Sequence, residues 1–109
     1  MRFLCLAYGD EDGWNSLSTA EKDEALAHDD AINRRGSLMA PVKTTVKTVS
    51  NWGRNLEVID RPYSGEDKLP LAGFSVIQAE SVEEVIDLVA NTPCARANGY
   101  IEIRPFLDD

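Results

Sequence analysis

The chain has 109 residues, 43% of them hydrophobic and 28% charged, which suits one domain over residues 1–109 with a single core. Nineteen acids against eleven bases give a net charge of −8, which argues against a nucleic-acid partner. No apolar run approaches the roughly 20 residues of a membrane span, and the apolar start FLCLA is too short for a secretory signal; a chain that touches no membrane and works in the cytoplasm is expected.

Residues 2–8, RFLCLAY, are apolar after Arg2 and predict a strand covered on both faces or nearly so. GDEDGWNSLS interrupts it with two glycines and three acids. Ser18-Thr19-Ala20-Glu21 is a capping box that opens a helix running to about Arg35, with Gly36 as its stop. On a helical wheel Leu17, Ala20, Ala25, Ala27, Ala31 and Ile32 fall on one broad arc, with His28 inside it, and Asp23, Asp29, Asp30 and Asn33 are expected opposite.

Residues 37–42 predict a short strand ended by Pro41, and Thr44 to Ser50 a strand rich in Thr and Val. Asn51-Trp52-Gly53-Arg54 is a turn, and Asn55 to Asp60 the returning strand of a hairpin. Lys43, Lys47, Arg54 and Arg61 make this middle locally basic, as a solvated hairpin or as a lure for a small anion. Gly65, Asp67 and Pro70 mark an exposed loop, and Gly73 to Ala79 a further strand.

Ser81-Val82-Glu83-Glu84 is a second capping box, followed by the stripe Val82, Val85, Ile86 and Val89; Pro93 stops that helix. Tyr100 to Arg104 alternates as a last strand ending near Pro105. The order β-α-β-(hairpin)-β-α-β contains a split βαβ pair, with both helices on one face of a mostly antiparallel sheet. This is a ferredoxin-like α+β arrangement with an added hairpin. Too little chain remains for the sheet's other face, which FLCLA and FSVI make apolar, so a homodimer packed sheet on sheet is expected.

His28 is the one histidine, and imidazole is the side chain whose ordinary titration lies near neutral pH. On an apolar helix face it reads as a packing residue or as a proton carrier. Asp60 ends an apolar strand, where an unpaired buried carboxylate is costly. Contact with His28 would fix the ring's tautomer, the orienting logic of general-base pairs; a turn carboxylate bonded to backbone N–H groups, or paired with Arg61, is the simpler reading. Tyr8 is a candidate pocket hydroxyl or a buried edge tyrosine. Ser37 and Ser64 lack a neighbouring base, Cys5 and Cys94 form no metal spacing, and no phosphate-binding glycine loop is present. No cofactor and no metal are expected.

MRFLCLAYGDEDGW, the helix with AHDDAI, LMAPVKTTVK, IDRPY with EDKLPLAGFSVI, and IEIRPF together resemble the YCII-related proteins, in their DGPF-domain branch, over nearly the whole chain. Asp60, Pro62, Lys68, Gly73 and Phe74 match that branch's marker. Arg61 stands where the family usually has glycine, Tyr63 where it has phenylalanine and Leu69 where glutamate is common. The resemblance implies a ferredoxin-like fold, a dimer, and an active site of a helix histidine and a strand-end aspartate, here His28 and Asp60. The first reading is then a lyase or isomerase acting on a small anionic organic substrate, in which His28 moves the proton, Asp60 orients it and Arg61 or Tyr63 holds a carboxylate, with Tyr8 a further candidate binding residue. The alternative is a non-catalytic dimeric binding or interaction module.

Overall fold

The computed structural model describes residues 1–107. Its elements are β1 (Arg2–Tyr8), α1 (Glu11–Asn15), α2 (Thr19–Arg34), β2 (Leu38–Pro41), β3 (Thr48–Trp52), β4 (Asn55–Ile59), β5 (Leu71–Gln78), α3 (Val82–Val89), α4 (Pro93–Arg96) and β6 (Tyr100–Pro105). Four strands form the main sheet in the order β2-β5-β1-β6, with every neighbouring pair antiparallel. With the hairpin set aside, this is the ferredoxin-like arrangement expected.

Strand alternation divides the sheet into two faces. Phe3, Cys5 and Ile77 are buried, and they join Ile32 of α2 and Val85 and Val89 of α3 in one core, with Met39, Ile101 and Ile103 packed against it. The opposite parity places Leu4, Leu6 and Tyr8, with Phe74 and Val76, on the outer face. The capping box of α2 forms in full: Glu21 N donates to Ser18 Oγ at 3.1 Å, and Ser18 N donates to Glu21 Oε1 at 2.9 Å. The second box is half made. Ser81 Oγ caps Glu84 N, but the Glu84 carboxylate accepts from Glu80 N at 2.8 Å instead.

Three elements differ from the sequence expectation. Pro93 does not stop α3, which ends at Val89, but opens the short α4 from its first position, where a missing N–H costs nothing. Residues Glu11–Asn15 form α1, capped by Asp10, whose carboxylate accepts from Gly13 N at 2.9 Å. The strand expected from Thr44 begins at Thr48, because pairing with β4 fixes its extent: Trp52 lies opposite Asn55 and Thr48 opposite Ile59. Gly53 and Arg54 make the two-residue turn with φ of 61° and 65°, the left-handed pair that matches strand twist. This hairpin is a separate two-stranded sheet. Among the described residues no helix is long and apolar enough to cross a membrane.

Ile77 sits at the centre of the core on β5, fully buried. Ile77→Ala is expected to cost about 2–5 kcal/mol of stability, measured as a lower urea midpoint with an unchanged slope.

Candidate functional site

Ala25, Asp29 and Ile32 follow one another at i, i+4 and i+7 along α2 and therefore share a face. Ala25 and Ile32 are buried, and Asp29 is half-buried between them. This corrects the wheel: Asp29 belongs to the inner stripe rather than to the outer one, whereas Ala20, Ala27 and Ala31 are exposed. Four alanines drew the expected arc toward themselves. The helix is oriented instead by Ile32, the branched side chain that reaches the core. His28 stands half-buried at the edge of this stripe.

Asp29 helps to wall a cavity of about 330 Å³ between α2, the main sheet and α4. Most of its lining is apolar, from residues such as Ile32, Met39 and Ile101; Ser75, Thr92 and Cys94 add polar atoms. The Thr92 hydroxyl donates to Val89 O at 2.6 Å. A Cβ on Gly9 would stand 3.0 Å from Cys94 Sγ, so this glycine lets the chain leave β1 against α4. Burial pushes the Asp29 carboxyl above its ordinary value of 3.8. Burial, and after it the negative charge of Asp29, pushes the Cys94 thiol up, which keeps it protonated and unreactive at neutral pH. Burial also raises the Cys5 thiol, against a lowering hydrogen bond with Ser75 across the strand pair.

Asp60 lies elsewhere. Its side chain is 76% exposed and its Oδ1 accepts from Lys47 Nζ at 2.5 Å. The pair lines an open hollow of about 560 Å³ at the base of the hairpin, together with Arg61, Glu66 and Lys68. Thr48 Oγ1 donates to Arg61 O at 2.6 Å and ties β3 to the start of the loop after β4. A third hollow, of about 370 Å³, joins the other two. It shares Thr44 and Pro70 with the Asp60 hollow, and Ala72, Pro93 and Cys94 with the Asp29 cavity. These shared residues set the three hollows side by side, the Lys47 hollow at one end and the half-buried Asp29 carboxyl at the other.

The other sequence candidates fall on the outer face and the loop. Burial, then the hydrogen bond to Glu102, raises Tyr8, and Tyr63 lies within its electrostatic reach. The same Tyr8 bond, then Arg104, lowers Glu102. The structure thus brings Tyr8 near Tyr63, and Asp60 together with Arg61. His28 lines none of the three hollows, and the Asp60 carboxylate has Lys47 as its partner. Asp29 is the residue the sequence reading missed. Its signal was the spacing to Ala25 and Ile32.

The family model described as the YCII-related domain matches residues 1–108. No curated protein matches the chain. Among solved structures it is similar to the 5-chloro-2-hydroxyhydroquinone dehydrochlorinase (TftG) from Burkholderia phenoliruptrix AC1100, in complex with 2,5-dihydroxybenzoquinone. The identity is 17% and the TM-score 0.48, over 97% of this chain and 93% of that one. A likeness of that size bears on neither reaction nor ligand.

A carboxyl whose folded-state pKa lies above its unfolded value adds stability below the unfolded value of about 3.9 and loses it as pH rises through the folded value. Asp29 is such a group. The stability of Asp29→Asn relative to the unaltered chain is therefore expected to improve from pH 4 to pH 7, measured by urea unfolding of both at each pH.

Proposed function

The chain belongs to the YCII-related domain family, and we propose that it transfers a proton on a small anionic organic molecule held in the cavity under the sheet, as a lyase or isomerase. The observation that carries this reading is the half-buried Asp29 carboxyl on the cavity wall, raised by burial. A carboxyl that keeps its proton longer than usual can donate to an anionic oxygen that an ionised carboxylate would repel. Lys47, Arg61 and Lys68 line the outer hollow and favour an anion there. Arg61, in the place where the family usually has glycine, offers a fork suited to a carboxylate.

We assign Asp60 to this vestibule, where it holds Lys47, because its carboxylate is exposed and already paired. His28, the helix histidine to which the family resemblance points, lines none of the hollows, so the proton transfer is assigned to Asp29. Tyr8 and Tyr63 are assigned to the outer sheet face. That face carries Leu4, Leu6, Phe74 and Val76, with Leu38 of β2 at 61% exposure, and it supports a homodimer packed sheet on sheet.

A thermal-shift screen of lactones and small organic carboxylates should yield a ligand that raises the unfolding midpoint. With that ligand, Asp29→Asn is expected to lower turnover about 10²–10⁴-fold without loss of folding. Lys47→Ala with Arg61→Ala should mainly raise KM. Full turnover by Asp29→Asn would overturn the assignment, and saturable binding without turnover by the unaltered protein would leave a binding module. The sheet-face reading has its own check: Leu38→Glu should weaken the dimer in sedimentation velocity.

A further inference from the structure

The cavity walled by Asp29 holds two buried hydroxyls, and the fold treats them differently. The Thr92 proton is donated to Val89 O at 2.6 Å. Ser75 is 5% exposed and stands on the sheet, opposite Cys5 in the β1–β5 register. Its neighbours on that face, Phe3, Cys5 and Ile77, are core residues, so packing alone favours an apolar side chain here. The hydrogen-bond partner of the Ser75 hydroxyl is the Cys5 thiol. No other partner takes it among the described residues. A thiol is weak both as donor and as acceptor. Burial keeps the Cys5 thiol protonated, so the favourable arrangement has its S–H donating to Ser75 Oγ. The serine O–H is then left without an acceptor from the chain, at a cavity that both residues line. A buried hydroxyl proton without a strong acceptor is costly, and a ligand oxygen removes that cost.

The charges around the cavity indicate what kind of oxygen this is. No lysine, arginine or histidine is among the lining residues, and the walls are mostly apolar. An anionic group placed there would lose its hydration without gaining a counter-ion, and it would face the Asp29 carboxyl. The Cys94 thiol on the same wall stays protonated and is a second donor. Donors over apolar walls match an oxygen that accepts and carries neither proton nor charge. A ketone or ester carbonyl is such a group. The charge of the ligand then stays outside the cavity, on the side where Lys47, Arg61 and Lys68 line the outer hollow.

We propose that Ser75 is a ligand-binding residue: its hydroxyl donates to the carbonyl oxygen of an oxo acid or ester acid whose uncharged end enters the cavity. The inference rests on the reading of this cavity as the ligand site, and it adds the class of ligand and the group that holds it.

The test uses levulinate, which carries a ketone, and pentanoate, the same chain without it, each titrated into the isotope-labelled protein and followed by NMR. The amide signals of Ser75, Thr92 and Cys94 report on the cavity. The expected result is about 3–10-fold tighter binding of levulinate, a preference that Ser75→Ala removes without changing the affinity for pentanoate. If Ser75→Ala fails to fold, Ser75→Cys keeps the volume, puts a weak donor in place of the hydroxyl and is expected to lose the same preference. Equal affinities of the unaltered chain for the two acids, or a preference that survives in a folded variant, overturn the inference. So does the absence of any shift at these amides with either acid at about 10 mM, where even a millimolar complex forms. Proton transfer is read apart from binding, as deuterium uptake beside the ketone in heavy water. Binding through Ser75 without uptake leaves the inference standing and tells against the lyase or isomerase reading. Uptake that Asp29→Asn abolishes, with equal affinities for the two acids, overturns the inference and leaves that reading in place.

Discussion

Ala25 and Ile32 are buried on either side of Asp29, and their packing determines where that carboxyl lies. Ile32 is held in the core with Phe3, Cys5, Ile77 and Val85, so α2 cannot roll to return Asp29 to water without withdrawing a buried branched side chain. The fold resolves the conflict between a charged group and an apolar surround by letting the carboxyl keep its proton to a higher pH. Cys94, on the same cavity wall, responds to both the burial and the Asp29 charge. The chemistry of the cavity thus follows from the orientation of one helix.

The body and the hairpin obey different physics. In the body, helices cover one sheet face over an apolar core; in the hairpin, two strands rely on a ladder of their own. Segments 42–47 and 60–70 join them and carry most of the cations of the vestibule. Screening limits the reach of surface charge to about 8 Å at physiological ionic strength. Lys47, Arg61 and Lys68 can therefore act locally on an anion although the chain as a whole is strongly acidic. Across the connecting hollow, this electrostatic front meets a cavity whose walls are mostly apolar.

Patterns that act over a few residues were read with little error. The Ser18–Glu21 box, the alternation of Tyr100 to Arg104 and the stripe from Val82 to Val89 all form the elements they suggest. Short or weakly patterned segments were not. The α1 helix is too brief to show a period, though Asp10 followed by Glu11 and Asp12 is an N-terminal signal. The Thr and Val run from Thr44 favours extended backbone without saying where pairing starts; the turn at Gly53 and Arg54 decides that.

The candidate site divides along the same line. Local sequence was enough for the split βαβ order, the hairpin, the basic middle of the chain and the grouping of Asp60 with Arg61, because caps, turns and strand periods depend on near neighbours. Only the tertiary structure decided that Asp29 faces the interior, that Lys47 takes the Asp60 carboxylate and that three hollows adjoin. Those outcomes depend on how α2 is rotated against the sheet and on where two distant loops meet. Such rotations are set by the burial of a few large side chains, which a pattern rich in alanine leaves undetermined.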